Sequence, residues 1–223
     1  MTKLPLTEMN RFLHQELDDG DTRTVTVVNP DGAHNIAVGL NQPVKIEIHG
    51  HAGYYAGGMS KHAHVTIHGS AGTGVAENMM SGTVHVKGFA SNGAGATAHG
   101  GLLVIDGDAG LRCGISLKGA DIVVHGSVGH MSAFMAQTGR LVVCGDAGEA
   151  LGDSIYEARI YVRGSVAGLG ADCVEKERGD EHRAELAALL AQAGFEDADP
   201  SEFRRYGSAR QLYTFKVDNA GAY

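Results

Sequence analysis

The chain has 223 residues, of which 33 are glycine and 4 are proline, and its formal net charge is −8. This composition favours one elongated domain with many backbone bends over two globular domains. The acidic balance argues against nucleic acid or an anionic membrane surface as the main partner. No apolar run has the length of a membrane span, and the start MTKLPLTEMN lacks the plan of a signal peptide, so the sequence predicts a cytoplasmic protein.

Residues 1–40 are predicted to form an N-terminal helix followed by lead-in strands. A short helix is expected over residues 6–19, with Thr7 as its cap and Gly20 as its stop. The segments TRTVTVV and HNIAVGL, within residues 22–40, have the composition of strands that approach the following repeat without keeping its spacing. The apolar stripe of the helix is Leu6, Met9, Leu13 and Leu17.

Seven glycines recur at an unbroken interval of nineteen residues. A spacing held without one insertion over so long a stretch predicts that every repeat is the same structural turn, stacked on the previous one. We call these residues the marker glycines. They are Gly50, Gly69, Gly88, Gly107, Gly126, Gly145 and Gly164.

Apolar columns at the same period predict a strand in each turn. Ile or Val lies two residues before every marker glycine, and Ile, Val or Leu lies four before it, so both columns share one face of a strand. The residue between them varies from Glu47 through His85 to Tyr161, as on a partly solvated or partner-covered outer face. The inward columns are Ile48, Ile67, Val86, Ile105, Val124, Val143 and Val162, and Ile46, Val65, Val84, Leu103, Ile122, Leu141 and Ile160.

Small residues indicate the bends between strands. Ala or Val follows each marker glycine by two residues, and two further columns hold only Gly or Ala, which allows positive φ angles and close backbone approach. Strands and bends repeated in this way predict a parallel β-helix over residues 41–172, about seven rungs and roughly 30 Å long. The Gly/Ala columns are Gly57, Ala76, Gly95, Gly114, Ala133, Gly152 and Ala171, and Ala63, Gly82, Gly101, Ala120, Gly139 and Ala158.

Residues 173–223 depart from the repeat and are predicted to form a helix and a partner-binding tail. Asp180 is expected to begin a helix that runs through Ala193, and Asp199-Pro200 opens another helical turn.

The tail is predicted not to be needed for folding of the coil. One helix is enough to cover the final rung, so residues 203–223 are expected to dock on a partner, and the coil is expected to fold without them. Their mixture of Arg, Tyr and Phe is typical of interface hot spots. The candidate contacts in the tail are Phe203, Arg205, Tyr206, Arg210, Tyr213 and Phe215.

Residues with catalytic chemistry are scattered over the columns. Cys113, Cys144 and Cys173 show no CxxC spacing, which favours reduced structural thiols over a zinc site or disulfides. No Ser-His-Asp arrangement or carboxylate pair can be picked out, and Gly93-x-Gly95 lacks the Lys-Ser/Thr ending of a phosphate loop. The sequence therefore predicts no catalytic, cofactor-binding or metal-binding residue in this chain.

Several of the twelve histidines are close together in the columns. His49, His68 and His125 share one column, and the pairs His49-x-His51 and His62-x-His64 lie close to them. Because alternate residues of a strand face the same way, these histidines could together bind a metal ion at the surface. The simpler interpretation is a solvated polar ladder.

The repeat of strand, marker glycine, small residue and glycine, in IHGHAG, IHGSAG, IDGDAG, VHGSVG and CGDAG, together with MSGTVHVKG, resembles the GXGXG family of right-handed β-helices. The resemblance covers residues 40–172. It implies an all-β fold, a single right-handed parallel β-helix of about seven 19-residue turns with short N- and C-terminal helical caps. The family includes the C-terminal domain of the glutamate synthase large subunit and the β-helix subunit of formylmethanofuran dehydrogenase. As a free-standing domain with the tail YGSARQLYTF, the chain resembles the small GXGXG subunit of N-methylglutamate synthase, also called methylamine–glutamate N-methyltransferase.

The resemblance implies a scaffold without catalytic residues. In glutamate synthase the β-helix packs between the glutamine amidotransferase domain and the FMN and iron–sulfur synthase domain. Here those neighbours would be separate subunits of a hetero-oligomer, a glutamine-amidotransferase-like subunit and an FMN-binding glutamate-synthase-like subunit. FMN and the iron–sulfur cluster are expected in the latter, with no cofactor in this chain. Thr2 after Met1, in place of a cysteine nucleophile, agrees with this division.

Side chains on the corner after the second glycine of each repeat are candidate partner contacts. Exposed aromatic, Met and Arg side chains favour interfaces, although an ordinary surface loop would look similar. These candidates are Tyr54, Tyr55, Arg112, His130 and Met131.

Two other functions stay open. The first is the β-helix subunit of a formylmethanofuran dehydrogenase or formyltransferase/hydrolase complex, where the coil again supports a partner's active site. The second is an independent β-helix enzyme or sugar binder, which the low aromatic content of 6% and the lack of stacked acidic columns disfavour.

Overall fold

The computed structural model describes residues 5–15 and 24–210. In this part of the chain the helices α1 (Leu6–Gln15) and α2 (Asp180–Ala193) and a 3-10 turn (Pro200–Glu202) accompany a ten-stranded sheet. The strands are β1 (Thr24–Val28), β2 (Lys45–His49), β3 (His64–Ile67), β4 (Thr83–Val86), β5 (Leu102–Ile105), β6 (Lys118–Val124), β7 (Thr138–Val143), β8 (Arg159–Val162), β9 (Cys173–Lys176) and β10 (Arg204–Ser208).

Strands β1 to β8 pair in chain order in one parallel ladder. Each turn of the coil contributes one strand, which always forms the same side of that turn. Between β2 and β8 the partners are nineteen residues apart, as Ile46 opposite Val65 shows, except at an irregularity where Lys118 lies opposite Thr138. A second line of parallel bridges starts with Ala52 and Ala71 and continues to Val166, so the small apolar column forms another side of each turn. The prediction of a parallel β-helix of about seven turns, with a short helix near each end of the chain, is confirmed.

The two predicted inward columns fill the interior of the coil. Every member of both columns is at most 2% exposed. Full burial of one such Val, Leu or Ile stabilises the folded state by about 1.5–3 kcal/mol. Because the columns repeat in every turn, the core is one continuous stack along the coil.

Close approach between turns, rather than positive φ, explains the marker glycines. Gly50 alone among the seven has a positive φ, +142°. A Cβ on Gly69 would lie 2.5 Å from the Gly50 carbonyl oxygen, and one on Gly107 would lie 2.8 Å from the Gly88 carbonyl oxygen. The Gly107 amide donates a hydrogen bond to that same Gly88 oxygen at 2.9 Å. A side chain at these positions would therefore force stacked backbones apart.

A third side of each turn has alternate residues in the left-handed region. Tyr55, Gly57 and Met59 have φ angles of +60°, +67° and +54°, and the same three positions repeat in later turns. The predicted small column keeps positive φ from Gly57 as far as Gly152 but not at Ala171. This conformation costs a non-glycine residue about 1 kcal/mol or more, which hydrogen bonds between turns offset. We call the surface of these segments the corner face, formed by residues 54–59, 73–78, 92–97, 111–116, 130–135 and 149–154.

Residues 24–40 form an additional turn of the coil. Strand β1 pairs with β2 at a spacing of 21 residues, with Thr24 opposite Lys45, so the ladder begins before residue 41. The predicted strand in HNIAVGL is wrong, because residues 34–40 are bends and turns. The Asn35 amide donates to the Tyr54 carbonyl oxygen at 2.7 Å, which joins this segment to the corner face.

Helix α1 lies against this first turn. Leu13 is fully buried, and the Asn10 side chain hydrogen-bonds to backbone groups of the turn. The helix begins at Leu6, so Thr7 lies inside its first turn and the predicted cap is wrong. The predicted stop at Gly20 lies outside the described residues.

Helix α2 has the predicted bounds but covers the outer face of the sheet instead of the final rung. Its Leu186, Leu189 and Leu190 pack with Val123 and Val142 in a second buried cluster. The outer face is therefore covered from β5 to β8 and open from β1 to β4.

Strand β10 enters the sheet from the opposite direction. It pairs antiparallel with both β8 and β9, which places Tyr206 opposite Ile160 and Glu175. Phe203 and Tyr206 are 1% and 2% exposed. The prediction that the coil folds without residues 203–223 is therefore wrong for 203–208, because these residues complete the last rung and its packing.

Candidate partner interface

The predicted contact residues on the corner face fall into two groups. Tyr54 and Tyr55 are 52% and 44% exposed and lie near the N-terminal end of the coil. Arg112 and His130 are exposed, and Met131 is half-buried. The Arg112 amide donates to the His130 carbonyl oxygen at 2.9 Å, so these two lie on adjacent turns. Three turns, about 14 Å at the usual spacing of stacked strands, separate Tyr55 from Arg112.

The corner face also presents apolar side chains that sequence reasoning missed. Met59, Leu111 and Met135 are 56%, 47% and 41% exposed. Met59 and Met135 occupy equivalent positions of the repeat, both at positive φ. The nineteen-residue period, applied to large apolar residues outside the inward columns, is the signal that would have found them. Exposed Tyr and Met favour protein contacts, so the corner face is the candidate functional site.

The tail residues differ in what they can contact. Phe203 and Tyr206 are buried within their own chain and are not available to a partner. The Arg205 guanidinium donates to a backbone carbonyl of its own chain, and Arg210 pairs with an Asp carboxylate. The remaining candidates, Tyr213 and Phe215, lie outside the described residues.

The open outer face of β1 to β4 is polar. The rings of His49 and His68 stack with centroids 4.4 Å apart, and His68 Nε2 lies 2.5 Å from the Glu47 carboxylate. His85 pairs in the same way with Asp106 at 2.6 Å. Within residues 5–15 and 24–210, no three His, Cys, Asp or Glu side chains converge to hold a metal ion. His49 and His68 form part of a polar ladder between turns, whereas His125, of the same column, stacks on the Phe195 ring with centroids 4.8 Å apart.

A charged network joins α2 to the covered half of the sheet. The Tyr161 hydroxyl donates to one Glu185 oxygen at 2.8 Å, while Arg159 and Arg140 lie 2.5 Å and 3.4 Å from the other. Burial, and after it the Glu185 carboxylate, raises the pKa of Tyr161 well above its usual value. The hydroxyl therefore stays a donor at physiological pH.

We expect Glu185→Ala to lower the free energy of unfolding by about 1–3 kcal/mol, because it leaves the Tyr161 hydroxyl without its acceptor and Arg159 without its carboxylate, whereas Arg140 keeps its bidentate pair with Asp121. Chemical denaturation measures the change. Glu196→Ala, at an exposed position beyond the same helix, is the control and is expected to change stability by less than about 0.5 kcal/mol. Equal losses in the two variants would contradict a role for the network in holding α2.

The three cysteines are buried and unpaired. Burial raises the pKa of Cys113 to about 12 and the pKa values of Cys144 and Cys173 to about 11. Because the thiolate is the reactive and metal-binding form, these groups are poor nucleophiles and poor ligands.

We expect the folded chain to react negligibly with Ellman's reagent at about pH 8, since none of the three thiols is exposed or ionised there. The unfolded chain in guanidinium should release the thiolate dye from all three cysteines. Rapid modification of one thiol in the folded chain would contradict the buried positions.

None of the helices that the structure describes combines the length and the apolar character needed to cross a membrane.

These features define a class of protein, a parallel β-helix with exposed apolar side chains on its corner face and an outer sheet face half covered by its own helix. No family model matches the chain. It is 59% identical over 219 residues to protein GlxC of Rhizobium meliloti (strain 1021), covering 98% of this chain and 96% of that protein. The chain therefore belongs to the GlxC family.

Proposed function

We infer that this chain is a non-catalytic scaffold subunit of a glutamate-synthase-like complex, in which it joins a glutamine-amidotransferase-like subunit to an FMN and iron–sulfur synthase-like subunit. The observation that carries this proposal is the corner face, where Tyr, Met and Leu side chains are 41% to 56% exposed along one side of the coil. Such side chains are enriched in protein interfaces and often supply much of their binding energy.

Two different surfaces suit a subunit that joins two neighbours. The corner face exposes large apolar side chains, whereas the open outer face of β1 to β4 carries Lys45, Glu47, His85 and Lys87. The two surfaces belong to different sides of each turn. Because the turns are held together by backbone hydrogen bonds, partners on the two surfaces would be kept at a fixed separation.

The chemistry of the complex belongs, in this proposal, to the partner subunits. An iron–sulfur cluster needs several thiolates in one place. Cys113, Cys144 and Cys173 lie in different columns and are buried with raised pKa values, so the thiols of this chain do not fit such a cluster. FMN and the cluster are assigned to the synthase-like subunit, and glutamine hydrolysis to the amidotransferase-like subunit.

The finer assignment is N-methylglutamate synthase, which forms N-methylglutamate from methylamine and glutamate. Its support is the GXGXG repeat followed by the tail YGSARQLYTF, the features that resemble the small subunit of that enzyme. The alternative is the β-helix subunit of a formylmethanofuran dehydrogenase or formyltransferase/hydrolase complex, because the same coil supports the active site of a partner there.

Purification of the native complex, with identification of its other chains and chromophores, tests the proposal. We expect an amidotransferase-like chain and a yellow or brown synthase-like chain in the complex, and a colourless isolated β-helix chain. An amidohydrolase-like chain together with a formyltransferase would favour the alternative. Stoichiometric flavin on the isolated chain would contradict the scaffold role.

A further inference from the structure

The corner face contains a recess at its N-terminal end, between the first turn and the two turns that follow. Its volume is about 230 Å³. One carboxylate, that of Glu77, is among its lining groups, and the other side chains are apolar or neutral. The lining residues are Asn35, Val38, Tyr55, Gly58, Met59, Glu77 and Asn78.

The Glu77 carboxylate is placed in the recess by the absence of a side chain at Gly74. A Cβ built on Gly74 would lie 2.8 Å from Glu77 Oε2 and 3.4 Å from Cδ1 of Tyr55. The carboxylate and the Tyr55 ring therefore share the space that the glycine leaves open. The equivalent positions one and two turns further on carry Gly93 and Arg112.

Among the residues that the structure describes, the Glu77 carboxylate has no cationic partner. No Lys, Arg or His of these residues forms an ion pair with it, and burial alone raises its pKa. A carboxylate that is partly withdrawn from water without a counter-charge lowers stability, and an incoming cation removes that cost. The acidic chain, with net charge −8, adds to the attraction.

The rim of the recess has the composition of a protein interface. Tyr55 and Met59, which line it, are 44% and 56% exposed. Tyr54, the chain neighbour of Tyr55, is 52% exposed, and its ring stacks on His34 with centroids 4.4 Å apart, so an aromatic side chain next to the recess is already ordered before a partner binds. Pre-ordered aromatic rings bind at a lower entropic cost than mobile side chains.

We propose that this recess receives one Lys or Arg side chain of a partner protein, with its charged end on the Glu77 carboxylate and its aliphatic stem against Tyr55 and Met59. A cation beside an aromatic ring and an acceptor oxygen gains from both contacts. The inference rests on the proposed function only in requiring that the chain works within a hetero-complex. It holds both for the partners of a glutamate-synthase-like complex and for those of a formylmethanofuran dehydrogenase complex.

Glu77→Gln tests the ion pair, because it removes the charge and keeps the shape. The full-length variant is titrated with the partner subunits purified from the native complex, and Glu196→Gln, at an exposed position outside the corner face, is the matched control. We expect binding to weaken about ten-fold or more for Glu77→Gln, with a smaller dependence on salt, and to change less than two-fold for Glu196→Gln. Melting temperature should not fall in either variant, since Glu77 has no ion pair within the described chain to lose. Unchanged affinity of Glu77→Gln overturns the proposal.

A photoreactive benzoylphenylalanine in place of Met59 tests which molecule enters the recess. We expect a cross-link to a partner peptide that contains Lys or Arg. A cross-link to a second copy of this chain, or to a peptide without a basic residue, overturns the proposal. A native complex that lacks the amidotransferase-like and synthase-like chains contradicts the proposed function, whereas an intact complex that tolerates Glu77→Gln contradicts this inference alone. A chain that purifies without any partner contradicts both.

Discussion

Replacing Gly126 with alanine is expected to cost about 4 kcal/mol or more of unfolding free energy, or to make the chain insoluble. The added Cβ would lie 2.7 Å from the Gly107 carbonyl oxygen and would also meet the Asp108 carboxylate. The Gly107 oxygen accepts the Gly126 amide hydrogen bond at 3.1 Å, so it cannot move away without loss of pairing between turns. Valine at the same position is expected to be worse. Thermal and chemical denaturation measure the effect.

Gly93→Ala is the matched control for Gly126→Ala. Gly93 has a positive φ of +66°, but a Cβ there would meet nothing within 4 Å. Its cost is therefore limited to the left-handed conformation, about 1 kcal/mol. Equal melting temperatures for the two variants would show that the turns are not stacked as described.

A chain that ends at Asp199 is expected to lose the C-terminal part of the fold. It lacks β10, which pairs with both β8 and β9, and it lacks the buried rings of Phe203 and Tyr206. Loss of one such buried ring alone costs about 3–5 kcal/mol. The result should be a lower melting temperature and dye binding to newly exposed apolar surface, with the N-terminal turns least affected because each turn contacts only its neighbours.

A chain that ends at Arg210 is the control for this truncation, since it keeps β10 and both rings. We expect it to melt like the full-length chain. The same variant tests whether Tyr213 and Phe215 contribute to partner binding, because loss of co-purification from a folded coil would assign that role to residues 211–223. Equal stability of the chain ending at Asp199 and the full-length chain would contradict the position of β10.

The coil could be predicted well from the sequence because the nineteen-residue repeat that produces it is strictly periodic. Ile46 and Val65 are nineteen residues apart and are also paired across the sheet. The spacing of the repeat in the sequence is therefore also the spacing of the strand pairs. The helix bounds Asp180–Ala193 have a local cause, because Gly194 follows with a left-handed φ of +83° and ends the helix. Features with a local or a strictly repeated cause are thus readable from one sequence.

Features that depend on distant contacts were missed. The apolar outer column at Val104, Val123 and Val142 indicated a cover, but it did not show that α2 of the same chain provides it. The segment RRYGS has no alternating apolar pattern, and it becomes β10 because β8 and β9 offer it backbone partners on both sides. Positive φ at Tyr55 was likewise not predictable, since hydrogen bonds between turns override its own preference.

The corner face was predicted in part. Tyr54 and Tyr55 are exposed there, whereas Phe203 and Tyr206, chosen for the same aromatic character, are buried. Composition alone does not distinguish an interface residue from a core residue in a non-repeating segment. Burial, which depends on the whole fold, makes that distinction.

Reconstitution from separately purified subunits tests the scaffold role most directly. The amidotransferase-like and synthase-like subunits are mixed with and without this chain, and their association is measured by analytical ultracentrifugation. The account predicts one complex that contains all three chains, with the flavin absorbance on the synthase-like subunit, and no association of the other two when this chain is left out. Association and full glutamine-dependent activity of those two subunits in its absence would contradict the account.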